Sequence, residues 1–168
     1  MLIFHSLSKR SNVAGLRSGF VVGDSSIINH FKKLRSYSAP TIPIPIQIAS
    51  RELWKDEKHV ELNRIKYKKK LLYADKVFND FNFYESPEAG FFLWLHVGDD
   101  LKFTQLLWKH MAIKVIPGSY MAVAGKGKNP ASGYIRIALV HDLDIIEEAM
   151  KRLQTFFQNI WQERQDYE

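Results

Sequence analysis

Apolar and polar positions follow three different rhythms along the chain. Up to about residue 45 the apolar residues come in short runs. Leu2–His5 reads as a short buried strand leading into the polar segment Ser6–Asn12, and Ser18–Gly23 as a second strand held between glycines. Ser25 or Ser26 is expected to cap a helix to about Arg35, with Ile27, Ile28, Phe31 and Leu34 on one face. The stretch Pro40-Thr-Ile-Pro-Ile-Pro45 resists a helix, because each proline removes a donor and pushes its predecessor to extended geometry. From about Ile46 to Phe81 the period is helical, with Trp54, Val60, Ile65, Leu72 and Phe78 among its apolar positions and a break expected near Lys55–His59. That length suggests an element bridging two bodies.

Beyond residue 82 the rhythm changes again. Pro87-Glu-Ala-Gly90 is a turn signal and Phe91–Val97 a strand. Asp99 or Asp100 caps a helix to about Ala112, Ile113–Ile116 is a short strand closed by Pro117-Gly118, and Ser119–Gly133 reads as loop. Tyr134–Val140 is a strand, and Asp142 or Asp144 opens a final amphipathic helix using Leu143, Ile146, Met150, Leu153, Phe157 and Ile160. Residues 82–168 are thus expected to form one β-α-β-β-α layer.

Composition narrows the class. A chain of 168 residues with 46% hydrophobic and 13% aromatic residues has the means to build a core, which excludes disorder and collagen-like repeats. No internal repeat or low-complexity tract stands out. Without cysteine there is no disulfide framework, Cys-ligated zinc or cysteine nucleophile, and the chain suits a reducing cytoplasm. No apolar run approaches a membrane span. The net charge of +6 is unevenly placed: residues 1–51 carry seven basic side chains against Asp24, and the remainder carries 17 against 17.

Most candidate chemistry is bland. The six histidines show no i,i+4 pair and no acidic neighbour at ligand spacing, so no metal site is expected. Lys66 and Lys68–Lys70 read as a solvated helix face and not as a nucleic-acid patch. Two features stand apart. Between the first two strands, Ser6, Ser8, Lys9, Ser11, Arg17 and two glycines crowd into one short segment. Such hydroxyl and guanidinium groups suit a phosphate, with an ordinary polar connection as the bland alternative. There Lys9 is either a second phosphate contact or an amine nucleophile. The second feature is Arg136, which strand alternation puts on the face opposite Ile135, Ile137 and Leu139. An arginine in an apolar strand calls for a carboxylate, an internal acid being favoured over that of a substrate.

The stretch Ser6-Leu-Ser-Lys-Arg-Ser-Asn-Val-Ala-Gly-Leu-Arg-Ser-Gly-Phe-Val-Val-Gly-Asp24 resembles the cofactor-lysine segment of fold-type I pyridoxal-phosphate aminotransferases of class I/II. Pro87-Glu-Ala-Gly-Phe-Phe-Leu-Trp-Leu95, Pro117-Gly-Ser119 and Gly133-Tyr-Ile-Arg-Ile-Ala-Leu139 recur in the order of that family's small domain. The resemblance implies that Lys9 is the catalytic lysine bound to the cofactor and that Ser6 and Arg17, with Ser8 as a weaker candidate, hold its phosphate. It also implies that Arg136 holds the substrate α-carboxylate. The implied fold is α/β: the end of a large-domain sheet over residues 1–45, an interdomain helix over 46–81, and an α+β small domain over 82–168. Within the family the first stretch most resembles bacterial N-succinyldiaminopimelate aminotransferases of lysine biosynthesis, cytoplasmic homodimers acting on amino-acid and 2-oxo-acid substrates.

The resemblance aligns only to the C-terminal part of such enzymes. The carboxylate that meets the cofactor's ring nitrogen and the aromatic ring stacked on it belong to the family's preceding segment, so the 168 residues alone are expected to be apo and inactive. The alternatives are another fold-type I enzyme, such as an aspartate-type aminotransferase, a C–S lyase or a decarboxylase. A non-catalytic phosphate- or nucleic-acid-binding module would use the basic first third instead.

Overall fold

The computed structural model describes residues 1–39, 41–125 and 127–161, the last two by backbone alone. Pro40 of the proline-rich stretch and the Ile160 side chain of the final apolar stripe lie outside the described residues. The chain divides into two units, Met1–Arg64 and Ile65–Glu168.

In the first unit β1 (Leu2–Ser6) and β2 (Gly19–Gly23) pair antiparallel, Leu2 opposite Gly23 and Ser6 opposite Gly19. Close approach demands glycine at position 19, where a Cβ would stand 2.5 Å from the His5 carbonyl oxygen. The expected buried strand is not buried: Ile3 and Phe4 are exposed. The sheet has two strands, which leaves its faces thinly covered.

The helix α2 (Ser25–Ser38) is capped by Asp24, not by Ser25 or Ser26. Asp24 Oδ1 accepts the Ser26 hydroxyl at 2.6 Å and the amides of Ser26 and Ile27 at 2.9 and 3.2 Å. An ionised acceptor outranks a hydroxyl at a helix N-terminus. The Ser26 hydroxyl above all, then the two amides, holds this carboxyl below its ordinary range.

The helix α3 (Ile44–Lys55) starts inside the proline-rich stretch. Pro43 is its cap and Pro45 sits in the first turn, where a missing N–H costs no helical bond. After the break at Asp56-Glu57 comes α4 (Lys58–Phe78), so the long helical period belongs to two helices, and the boundary between units falls within the second.

The second unit holds a three-stranded antiparallel sheet of β3 (Phe92–His96), β4 (Ile116–Pro117) and β5 (Tyr134–Ala138), in the order β3-β5-β4. Helices α5 (Asp100–Met111) and α6 (Leu143–Phe156) complete the expected β-α-β-β-α order. The strand expected over Ile113–Ile116 is shorter. Ala112 turns left-handed (φ 56°) to end α5, and Ile113 and Val115 pack on the core without joining the ladder.

One sheet face supplies Leu93, Leu95 and Ile135 to a core with Phe103 and Leu107 of α5, Met150, Leu153 and Phe156 of α6, and Ala74 and Phe78 of α4. Each such large side chain contributes about 2 kcal/mol of burial. On α4 the apolar Ile65 and Leu72 are exposed, and one expectation fails: Lys70 is buried. Lys70 belongs to no solvated face. Its ammonium donates to the Leu139 carbonyl at 3.0 Å and lies 5.0 Å from the Tyr67 ring centre, and burial pulls its pKa down.

Candidate active site

The segment between β1 and β2 folds back on itself. Leu7 N–H donates to the Ser18 carbonyl at 3.1 Å and closes the excursion at its base. Inside it lie α1 (Leu7–Arg10) and a 3₁₀ turn (Ala14–Leu16) that packs against it. Ser6 caps α1: its Oγ accepts the Ser8 amide at 3.1 Å and donates to the Ser18 carbonyl at 3.4 Å. Lys9 stands on the short helix with an exposed side chain, and Leu7 of the same helix is fully buried.

Arg17 has left-handed backbone (φ 51°, ψ 37°), and its guanidinium donates to the Ala14 carbonyl at 3.1 Å. Asparagine tolerates that region, as Asn12 does at φ 57°. Arginine does not, and the conformation costs about 1 kcal/mol. The fold thus brings Ser6, Ser8, Lys9 and Arg17 onto one closed excursion.

What holds that excursion is less legible in the sequence. Arg10 donates to the Leu53 carbonyl at 2.9 Å, pairs with Glu57 and lies 5.1 Å from the Trp54 ring centre. Ser11 Oγ lies 2.8 Å from His59 Nε2, and His59 Nδ1 lies 2.8 Å from Asp56 Oδ2. His59 thus has an acidic neighbour in Asp56, which the reading of the histidines at ligand spacing passed over. Asp56 precedes His59 by three residues, the spacing that puts two side chains together at a helix start. That spacing was the signal available.

Arg136 sits in β5 of the second unit, half-buried, directly opposite Trp94. The internal acid partner favoured from the strand pattern is not there. Among the described residues its guanidinium lies 4.6 Å from the Phe92 ring centre and pairs with no carboxylate. A half-exposed guanidinium keeps part of its hydration and gains from an aromatic face, so no acid is needed.

The approach to β5 is pinned by Asp100, a buried carboxylate that the sequence offered only as a cap. Its Oδ2 accepts the Ser119 amide at 2.7 Å, and its Oδ1 accepts the Ser119 hydroxyl at 2.9 Å and the Gly133 amide at 3.3 Å. The helix cap is its neighbour Asp99, which accepts the Lys102 amide at 2.9 Å. Burial works to raise the Asp100 pKa, but the bonds from Ser119 and Gly133 outweigh it and hold the carboxyl below its ordinary range. Gly118 completes the turn, since a Cβ there would lie 2.0 Å from the Ala131 carbonyl oxygen.

The donors in the first unit fit a phosphate that carries an aldehyde: two hydroxyls, a guanidinium and a primary amine on one excursion. The acids ahead of α4 are each engaged elsewhere. Asp24 caps α2, Glu52 faces Arg51 and Lys55, Asp56 faces His59, and Glu57 faces Arg10. Of the other cations in this unit, Lys32, Arg35, Arg51 and Lys55 line a groove of about 790 Å³ bordered by α2 and α3.

The family described as aminotransferase class I and II matches residues 1–153. A 4-dedimethylamino-4-oxo-anhydrotetracycline transaminase, OxyQ of Streptomyces rimosus, is 32% identical over 154 residues, which cover 91% of this chain and 41% of that protein. An LL-diaminopimelate aminotransferase of Natranaerobius thermophilus is 32% identical over 167 residues, 92% of this chain and 40% of that one. A solved aminotransferase structure from Neisseria meningitidis superposes with a TM-score of 0.84 at 42% identity, covering 92% of this chain and 40% of that chain. The chain therefore spans about two fifths of the length of these relatives.

Proposed function

The chain belongs to the class I and II aminotransferases, and from that premise we propose that it is part of an enzyme transferring an amino group between an amino acid and a 2-oxo acid. The family depends on pyridoxal phosphate. The observation that carries the reading is the closed excursion holding Ser6, Lys9 and Arg17 on one short piece of backbone. Ser6 and Arg17, with Ser8 beside them, bind and orient the phosphate, the arginine by its planar fork. Lys9 Nζ anchors the aldehyde and then, once freed, carries the proton that leaves the substrate Cα. When bound, the cofactor supplies an electron sink for the pair left on Cα. Arg136 fixes the substrate carboxylate bidentately and so restricts the orientation of the bound substrate.

In this reading residues 1–45 belong to a large cofactor domain, 46–81 connect it onward, and 82–168 form a small domain. The whole enzyme is a cytoplasmic homodimer. Because none of the acids before α4 is free for the ring nitrogen, the 168 residues by themselves bind the cofactor weakly and do not turn over. The substrate assignment within the family is N-succinyl-LL-diaminopimelate with glutamate as the amino partner. It rests on the Ser6–Phe20 stretch, and the LL-diaminopimelate aminotransferases among the relatives are its nearest support.

The test has two parts. The chain is incubated with pyridoxal phosphate and reduced with borohydride, and the labelled lysine is located by mass spectrometry. Label is expected at Lys9 and is expected to vanish in Lys9→Ala. Label spread evenly over surface lysines would sink the Lys9 assignment, and measurable amino transfer by the chain alone would sink the inactivity claim. A panel of amino donors offered to the complete enzyme then separates the succinylated diamino acid from free diaminopimelate, aspartate and aromatic amino acids.

A further inference from the structure

The face of the second unit's sheet that points away from its core is unusually aromatic. Trp94 and Tyr134 stack across β3 and β5 with ring centres 5.3 Å apart and planes 8° from parallel. The His96 ring stands edge-on to Tyr134 at 4.9 Å and 69°. With Phe83, Tyr84 and Glu85 these rings line a cleft of about 440 Å³. Trp94 is 40% exposed, so a large aromatic surface is left in water at this point. The Tyr84 hydroxyl is committed to Asp75 at 2.5 Å, which leaves its ring as its contribution to the cleft.

Charge gives the cleft its sign. Glu85 is the one lining residue with a fixed charge, it is exposed, and among the described residues no cation pairs with it. The chain's own cation on this face leans elsewhere, since Arg136 lies over Phe92. Aromatic rings lining a cleft with one carboxylate that no described cation pairs with attract a positive group with apolar substituents. The rings offer their negative quadrupoles and the carboxylate a full charge, while the apolar substituents bury carbon against the rings. A neutral ligand of equal shape gains only the last of these.

We propose that this cleft is a binding site for the organic ammonium group of a small molecule. The proposal uses residues of the second unit alone and does not depend on the assignment of Lys9 or of the cofactor.

The test titrates the full chain with choline at constant ionic strength. Its neutral isostere, 3,3-dimethylbutan-1-ol, is titrated in parallel. Binding is read from the Trp94 indole N–H resonance, identified as the one missing in Trp94→Phe. Choline is expected to shift that resonance to saturation, with the alcohol at least about threefold weaker. Glu85→Gln, an exposed change whose spectrum reports directly that the fold is kept, is expected to weaken choline binding about threefold or more. Three results would overturn the proposal: no saturable shift with choline, equal binding of choline and the alcohol, or unchanged choline affinity in Glu85→Gln. The second of these would mark a plain aromatic surface.

Discussion

The two units spend their apolar residues in opposite ways. In the second, Phe78, Phe103, Phe156, Phe157, Leu93, Leu95, Leu107, Ile135 and Leu139 are all essentially removed from water. In the first, Leu7 is the one large side chain so buried among the described residues, while Ile3, Phe4, Phe20, Val22, Ile27, Leu34, Ile44 and Ile48 stay exposed. The first unit is also where the basic excess lies. Comparable hydrophobic content therefore yields a closed core in one place and an open surface in the other. The difference is architectural. A three-stranded sheet backed by helices can shut one face completely, whereas a two-stranded ribbon cannot.

The sharpest way to break this comparison is to remove a ring from each unit. Phe103→Ala is expected to cost about 3–5 kcal/mol, because a fully buried ring leaves a cavity. Phe4→Ala, at 66% exposure, is expected to cost less than about 1 kcal/mol. Urea unfolding followed by near-ultraviolet circular dichroism measures both, and equal losses would end the distinction.

Next in size is Asp100→Ala, which strips acceptors from the half-buried Ser119 amide and the buried Gly133 amide and is expected to cost about 2–3 kcal/mol. The sign of the pH effect follows from the depressed pKa. The contribution of Asp100 is present above its ordinary value of 3.8 and is lost as pH falls through the lower folded-state value. Asp100→Asn should flatten that acid limb of the stability profile. An unchanged acid limb would show that the Ser119 and Gly133 bonds do not favour the ionised form.

Arg10→Ala is a local test of the first unit. It removes the tie from α1 to Leu53 and Glu57 and is expected to cost about 1 kcal/mol, with faster amide exchange at Ser11 than at any amide of α6. Uniform exchange across both units would contradict this picture of local anchoring. The smallest effect is expected for Arg152→Ala, which breaks an exposed i,i+4 pair with Glu148 in the well-packed unit and should shift stability by less than about 0.5 kcal/mol. A larger loss would mean that surface ion pairs, and not the core, distinguish the units.

Much of the second unit was readable in advance because its rules are local. Alternation in Tyr134–Ala138 separates Ile135 from Arg136 whatever surrounds the strand, and Asp99 can cap α5 with nothing but its own next turn. The first unit was read less well. Its apolar strand resembled a buried one because composition reports what a strand could cover, not what covers it. In the candidate site, Ser6, Lys9 and Arg17 stood out as candidates because they sit close together in the chain, and Arg10 and His59 were passed over because their partners do not.

By itself the sequence determined the order of elements, the glycine and proline positions that shape the turns, and the run of motifs that marks the family, since all of these depend on neighbours within a few residues. The tertiary structure alone decided which groups meet across long separations. Arg10 finds Leu53 43 residues away, and Lys70 finds the Leu139 carbonyl 69 residues away. It also decided that Arg136 rests on an aromatic ring and not on an acid. Such pairings leave no periodic trace, because what selects them is the space left between packed elements once the chain has folded.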